Sequence, residues 1–348
     1  MEYLELGKTG LKVSEAGFGG IPIIRLQTDE AVKVLRHAYD NGITFYDTAN
    51  MYRDSEAKIG QALSLVRDKV VIATKTIRRD ADGLRENLEK SLQMLKTDYI
   101  DLYQFHQVAN DTEWNKIRQE GGAWEEAQKA KAQGKIRFLG VTSHNLLMAI
   151  KLVQTGLFST VQFPFNFIET EAKDELHAYA RRQGMGIIAM KPFAGGVIDR
   201  ALLAFKYLRQ FPNIIPIPGF DSVESVDEIV SLYDSPNVVN DEDVEVMNKY
   251  RLELGRKFCR RCEYCQPCPN GVMITAAMSY PVVASRMSPK ISVQFLKVPM
   301  ESTQKCNECG ECLERCPYEL PIPEMLKKYY NLFETHRAKC GLKEEKVQ

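Results

Sequence analysis

From Gly17 to Tyr233 the chain alternates short apolar runs with longer stretches whose apolar residues recur at helical spacing. The short runs are ITFYD from Ile43, VVIATK from Val70, IDLYQFH from Ile100, FLGVTS from Phe138, TVQFP from Thr160, GIIAMK from Gly186 and NIIPIPG from Asn213. AGFGG, from Ala16, is a weaker first member of the series. Their length and composition predict strands. Between them, Ala31, Val34, Leu35 and Ala38 keep an i, i+3, i+4, i+7 spacing that stops at Asn41-Gly42. Ile59, Ala62, Leu63 and Val66 repeat the pattern, as do Val226, Ile229, Val230 and Tyr233, and Leu84, Leu88, Leu92 and Leu95 form another stripe. Each predicts an amphipathic helix.

Eight strand–helix units in this span match the size of a (β/α)8 TIM barrel. The rival α/β architecture, a doubly wound sheet, calls for GxGxxG after the first strand, whereas the chain reads GFGGIP there. Tyr3 to Val13, with Gly7 and Gly10 at its turn, predicts a short hairpin closing the barrel bottom. The barrel is expected over residues 1–235 and a connecting segment over 236–258, with a charged helix from about Asp241 to Lys257. A cysteine-rich, α-rich ferredoxin-like module is expected over 259–340.

Composition narrows the function classes. The chain has 348 residues, 46 basic and 46 acidic, with 44% apolar. Zero net charge and the absence of a dense basic run argue against a nucleic-acid partner. No apolar stretch reaches the ~18 residues that span a bilayer, and MEYLELGKTGLKV lacks a signal-peptide layout. A cytoplasmic location without membrane contact is the expectation. Eight of the nine cysteines fall in two runs, Cys259 to Cys268 and Cys306 to Cys316, and none precedes Cys259. This clustering points to metal or cluster ligation rather than disulfides.

A barrel gathers its active site at the carboxy-terminal ends of its strands. There the chain offers Asp47 with Tyr52 five residues on, then Lys75, His106, Thr142-Ser143-His144, Gln162 and Lys191. A phenol is a poor acid at neutral pH, but a neighbouring ammonium lowers its pKa. Lys75, held by Asp47, suits that task, and His106 suits a hydrogen bond to a substrate oxygen. Tyr52 would then protonate a carbonyl oxygen as hydride reaches the carbon. A strand-end Lys or Asp taken singly is as readily a structural ion pair. His37, His177 and His336 read as surface or packing residues.

FYDTANMY…SEAKIGQAL, VVIATK, DYIDLYQFH, GKIRFLGVTSHN and VQFPFN, in this order, resemble the aldo-keto reductase superfamily over about Leu4 to Val230. The resemblance implies a catalytic tetrad at Asp47, Tyr52, Lys75 and His106, and a nicotinamide dinucleotide lying extended across the barrel mouth. It implies cofactor contacts from Thr142, Ser143, His144, Gln162, Met190, Lys191, Phe193, Gly195, Gly196, Gly219, Ser222 and Ser225. Thr142-Ser143 stands where the family usually has Ser-Asn, and Met190 where a stacking tyrosine is common. GFDSVES carries Asp221 and Glu224 where a basic residue often meets a 2′-phosphate, so NADP(H) and NAD(H) both stay open.

Cys306, Cys309, Cys312 and Cys316-Pro317 reproduce C-x2-C-x2-C-x3-C-P, the bacterial [4Fe–4S] ferredoxin run. Cys259, Cys262, Cys265 and Cys268-Pro269 differ by one residue in the last gap. In two-cluster ferredoxins the fourth cysteine of each run serves the other cluster. That assigns Cys259, Cys262, Cys265 and Cys316 to one [4Fe–4S] cluster and Cys268, Cys306, Cys309 and Cys312 to the second. Zinc ligation and a single cluster are the alternatives, and Cys340 reads as an incidental thiol. A subset of aldo-keto reductases is expected to carry such a tail, and YCQPCPNG with CGECLERCPYELPI is similar to theirs.

The leading expectation is an NAD(P)H-dependent oxidoreductase interconverting a small-molecule carbonyl and an alcohol, with two [4Fe–4S] clusters. The alternative is a redox-sensing or electron-transfer protein whose barrel binds nucleotide and whose clusters exchange electrons with a partner protein.

Overall fold

The computed structural model describes residues 1–254, 257–285 and 287–341. The chain divides into two compact units, one over Met1–Asn248 and one from Lys249 onward.

In the first unit β1 (Tyr3–Glu5) and β2 (Lys12–Ser14) form an antiparallel hairpin. β3 (Phe18–Gly19), β4 (Phe45–Asp47), β5 (Val71–Thr76), β6 (Ile100–Phe105), β7 (Ile136–Thr142), β8 (Thr160–Pro164), β9 (Gly186–Met190) and β10 (Ile214–Pro216) then pair in parallel in chain order. The sheet closes on itself. The Gly17 amide donates to the Pro216 carbonyl at 2.9 Å and the Gly19 amide to Pro218 at 2.6 Å, and Gly19 bridges Gly219 in parallel. This is the expected (β/α)8 barrel.

The crossovers carry the helices α1 (Thr28–Asp40), α2 (Ser55–Leu63), α3 (Ala81–Leu95), α4 (Asp111–Arg118), α5 (Ala123–Ala132), α6 (Leu146–Gln154), α7 (Glu175–Gln183) and α8 (Ala201–Leu208); α9 (Val223–Tyr233) follows β10. The stripes Ala31–Val34–Leu35–Ala38 and Leu84–Leu88–Leu92–Leu95 are buried, and α1 stops at Asn41 with Gly42 at φ 88°. One stripe differs from expectation. α2 ends at Leu63, the chain tightens into a 3₁₀ segment over Ser64–Lys69, and Val66 stays only half-buried. Arg67 takes the buried place. Its guanidinium reaches the Val70 and Tyr99 carbonyls at 3.0 and 2.9 Å and Asp101 at 2.7 Å, which a continued helix would not allow.

Inside the barrel, period-two alternation sorts the strands. Leu6, Leu11 and Val13 of the hairpin pack with Phe45, Val71, Ala73, Leu102, Ile188, Ile215 and Ile217. The hairpin therefore plugs the bottom, as its position in the sequence suggests. Gly7 is required there: it sits at φ 58°, and a Cβ would lie 2.2 Å from the Gly186 amide. Further along the same strands the inward positions turn polar, to Asp47, Lys75, Gln104 and Gln162, all buried. Gly140 makes room among them, since a Cβ there would meet Thr160 Oγ1 at 2.3 Å and Gln104 Cγ at 3.1 Å.

A helix α10 (Asp241–Leu254) leads towards the second unit, which contains α11 (Ile274–Met278), α12 (Tyr280–Ala284), α13 (Pro289–Ser302), α14 (Glu311–Glu314) and α15 (Ile322–Lys339). The charged helix expected to Lys257 is described to Leu254; Gly255 and Arg256 lie outside the described residues. This unit has its own core, built on Val272, Ile274, Met278, Tyr280, Val293, Leu296, Met300, Leu326 and Phe333. Among the described residues no helix is long and apolar enough to cross a membrane.

Candidate active site

Strand register sets the polar layer. Asp47 pairs with Ala73, Lys75 with Gln104, and Thr142 with Gln162. Lys75 Nζ donates to Asp47 Oδ2 at 2.6 Å and to the Thr48 carbonyl at 2.6 Å. Tyr52 lies in the loop from β4 to α2. That loop is pinned by the Asn50 amide on the Lys75 carbonyl (3.0 Å) and the Tyr52 amide on Ala49 (2.9 Å). The Tyr52 ring is half-buried, with its centroid 5.4 Å from Lys75 Nζ and 5.8 Å from the His106 ring, which meets it edge-on. Asp47, Tyr52, Lys75 and His106 are thus brought together at one end of the barrel.

The electrostatics follow from burial. Desolvation pushes the Asp47 carboxyl up and the Lys75 ammonium down, and their mutual contact works against both shifts. A buried pair of this kind is weak evidence of stability. Its consequence here is a cation held beside a phenol. Burial, and then the charges of Lys75 and Arg79, hold the His106 imidazole well below its usual range, so the ring is neutral at neutral pH. Its Nδ1 is buried without a hydrogen-bond partner among the described residues.

Three contributors were not singled out from the sequence. Gln104 Nε2 donates to Asp47 Oδ1 at 3.3 Å and to Gln162 Oε1 at 2.9 Å. Arg79 Nη2 donates to the His106 carbonyl at 2.7 Å while paired to Glu113 at 3.2 Å. Glu56 is buried and accepts from Thr74 Oγ1 at 2.6 Å, and burial pushes its carboxyl up. Gln104 had a signal: it shares the inward parity of Leu102 and His106.

The positions expected to contact a cofactor fall in three places. Thr142 Oγ1 accepts from the Gln107 amide at 2.8 Å, and Ser143 Oγ donates to the Val108 carbonyl at 2.7 Å. Both hydroxyls therefore brace the loop after β6, and the Thr142 proton remains for a further acceptor. His144 and Met190 are half-buried, and Met190 packs on the interior cluster. After β9, Lys191 takes φ 58°, Phe193 packs on Phe205 at 5.9 Å, and Gly195 and Gly196 take φ 78° and 93°. After β10, Gly219 is exposed, and Ser222 caps α9 in a reciprocal pair with Ser225. Asp221 does not stand alone: Arg25, from the loop after β3, reaches it at 3.1 Å.

In the second unit the thiols sort into two groups. Burial and the neighbouring Cys259 and Cys316 push the Cys262 thiol up to about 11, and the same neighbours with Cys262 raise Cys265 further. Cys312 is raised by burial and by Cys306, Cys309 and Cys268. A pocket is lined by five cysteines, Cys265, Cys268, Cys306, Cys309 and Cys312, with Val272, Ile274 and Leu326 and with Glu308 and Glu311. The grouping exchanges the fourth cysteines between runs. Soft thiolate donors gathered around one pocket suit the chemistry of a [4Fe–4S] cluster. Arg315 Nη1, donating to the Pro267 carbonyl at 3.0 Å, ties the two runs together.

Residues 16–203 match the model of the aldo/keto reductase family, more than half of the chain. The chain belongs to this family. Residues 258–320 match a 4Fe-4S dicluster domain, and all eight clustered cysteines lie within that stretch of this aldo/keto reductase. Among relatives, the uncharacterized oxidoreductase YrpG of Bacillus subtilis is 34% identical over 229 residues, covering 57% of this chain and 68% of that one. The L-galactose dehydrogenase of Arabidopsis thaliana is 31% identical over 218 residues, covering 57% and 67%. A putative aldo-keto reductase structure from Pseudomonas aeruginosa superposes with a TM-score of 0.59 at 26% identity, over 66% of this chain and 94% of that one. An aldo-keto reductase from Klebsiella pneumoniae, solved in complex with NADPH, gives 0.61 at 23% identity over 72% and 96%, a likeness of fold. The chain is an oxidoreductase of this family, carrying a 4Fe-4S domain after its barrel.

Proposed function

We propose that this aldo/keto reductase interconverts a small-molecule carbonyl and the corresponding alcohol with NADPH or NADH, Tyr52 serving as general acid and base. The observation that carries the proposal is the Lys75 ammonium, bonded to Asp47 at 2.6 Å and 5.4 Å from the Tyr52 ring, beside a neutral His106. A bound nicotinamide supplies or accepts the hydride. Lys75 stabilises the Tyr52 phenolate, so the phenol releases its proton more readily to a carbonyl oxygen. The neutral His106 ring has a proton to donate to the same oxygen, which fixes its direction of approach. Gln104 and Gln162 fix Asp47, and through it Lys75.

The nucleotide is assigned to Thr142, Ser143, His144, Gln162 and Met190 at the nicotinamide end, to Lys191, Phe193, Gly195 and Gly196 at the pyrophosphate, and to Gly219, Ser222 and Ser225 at the adenosine. The NADPH complex of the Klebsiella relative supports a pyridine nucleotide. Arg25 offsets the charge of Asp221, so the repulsion of a 2′-phosphate expected from GFDSVES is reduced and NADPH is accommodated alongside NADH. The eight cysteines are assigned to two [4Fe–4S] clusters in the quartets given above, supported by the dicluster match and by the grouping of Cys262 with Cys259 and Cys316 and of Cys312 with Cys306, Cys309 and Cys268. Cys309 is exposed, which favours a second role in which that cluster trades electrons with a partner protein.

Anaerobically purified protein should oxidise NADPH or NADH steadily when offered a panel of aldehydes, ketones and quinones. Binding of nucleotide without turnover on any of them would leave the electron-transfer reading in its place.

A further inference from the structure

Past the end of β6 the chain turns sharply, and the turn begins at His106. Gln107 takes φ 55°, in the left-handed region that a residue with a side chain adopts only where its surroundings enforce it. From His106 to Ala109 every backbone amide is engaged. The His106 amide donates to the Thr76 carbonyl at 2.9 Å and the Gln107 amide to Thr142 Oγ1 at 2.8 Å. The Val108 amide donates to the Thr142 carbonyl at 2.9 Å and the Ala109 amide to Glu113 Oε2 at 3.0 Å. Among the carbonyls, Val108 accepts from Ser143 Oγ at 2.7 Å. Those of His106 and Gln107 both accept from a single nitrogen, Arg79 Nη2, at 2.7 and 3.2 Å.

Arg79 is a costly way to close a turn. Its side chain is only 14% exposed, and Nε and Nη1 are buried with no hydrogen-bond partner among the described residues. Nη2, shared also with Glu113 at 3.2 Å, is left to offset the desolvation of the whole cation. Stability is therefore a poor reason for an arginine here. What the guanidinium adds is a rigid planar anchor, aligned by Glu113 from α4. The His106 ring needs such an anchor, because its own Nδ1 is buried without a partner among the described residues. Its direction follows from packing and from the backbone that Arg79 holds. That backbone decides how the ring meets Tyr52, edge-on at 5.8 Å.

We infer that Arg79 is a positioning residue: by holding the His106 and Gln107 carbonyls it fixes the direction from which the His106 imidazole addresses the substrate oxygen. The inference rests on the proposal that Tyr52 and His106 act on a carbonyl at the barrel mouth. In this role Arg79 needs no contact with substrate or nucleotide.

A misplacement of about 1 Å can cost about 10²-fold in rate, so Arg79→Met in the full-length protein should lower kcat for the best carbonyl substrate by about 10- to 100-fold. Nucleotide Kd, titrated by fluorescence, should stay within about two-fold of wild type. The decisive measurement is a double-mutant cycle with His106→Gln, followed in single turnovers. Acting through His106, Arg79→Met should cost no more than about two-fold once the imidazole is gone. A cost that is the same in both backgrounds is that of a merely structural residue and overturns the inference, as does full kcat in Arg79→Met. If Arg79→Met does not fold, Arg79→Gln, which keeps an amide to donate, takes its place under the same criteria. If His106→Gln is too slow to measure, the enantiomeric excess of the alcohol formed from a prochiral ketone decides. A misaimed imidazole lowers that excess in the Arg79 variant; an excess unchanged from wild type overturns the inference. A wild-type protein that reduces no carbonyl, or full activity in His106→Gln, would instead overturn the underlying proposal and this inference with it.

Discussion

Lys75 has two neighbours that pull in different directions. Asp47 at 2.6 Å keeps it charged against burial, and the Tyr52 ring at 5.4 Å is where that charge acts. Lys75→Met should therefore lower carbonyl reduction by ~10²–10⁴, the range of general acid catalysis, with nucleotide affinity little changed. A rate preserved in that variant would detach the ammonium from the proton transfer. At the adenosine end, Asp221 pairs with Arg25 at 3.1 Å. Asp221→Arg replaces an ion pair by two cations and should shift preference from NADH towards NADPH, measured as the ratio of their dissociation constants. An unchanged ratio would mean that GFDSVES does not face the ribose. The partners in these contacts separate what was legible from what was not. Asp47, Lys75 and His106 each end an apolar run and could be found by position alone. Arg25 meets Asp221, and Lys191 meets Glu169, only because loops from different strands converge; no local spacing encodes that.

Among the elements, all eight strands lay where the apolar runs predicted, because an all-parallel barrel buries each strand on both faces and keeps most of its positions apolar. Helix ends were harder. α2 stops early because Arg67 must reach the Tyr99 and Val70 carbonyls, a tertiary demand that overrides its apolar stripe. β6 shows how a signal was passed over: Gln104 alternates with Leu102 and His106 and faces in, but its polar side chain looks like an outward position until the mouth is recognised. α7 carries a test of its own. His177 is buried against Phe165, its ring held down to about 3 from the ordinary histidine pKa of about 6.5 by burial and then by Arg181. Between those two values the unfolded chain binds a proton that the folded chain refuses. The associated stability is complete above pH 6.5 and is lost as the pH falls towards 3, by about 1.4 kcal/mol per pH unit. His177→Leu should flatten the pH dependence of the unfolding free energy by that slope between pH 6 and pH 4. The same slope in wild type and variant would mean that the folded protein already protonates this ring.

At the scale of the whole molecule, two units with separate cores carry two kinds of chemistry. Cysteine spacing made the second unit legible, because thiolates that wrap a cluster must be close in sequence and each run keeps the two-residue gap. Its helices and core were not, since their apolar residues are spread over short segments without a sustained period. Full-length protein purified without oxygen should hold about eight irons and eight sulfides. Cys306→Ala should lose about half of them, and zinc in place of iron would end the cluster assignment. A chain cut after Asn240 keeps every barrel strand and should still reduce aldehydes if hydride transfer needs nothing from the second unit. Nucleotide binding without turnover in that chain would instead tie the clusters to the barrel reaction.

The central claim is that the Tyr52 proton drives carbonyl reduction at the barrel mouth. Its most direct test compares wild type and Tyr52→Phe in the full-length, iron-loaded protein, with the best substrate from the carbonyl panel and with nucleotide binding measured in parallel. The account predicts a fall in rate of ~10²–10⁴ with nucleotide affinity preserved; full activity in Tyr52→Phe would contradict it.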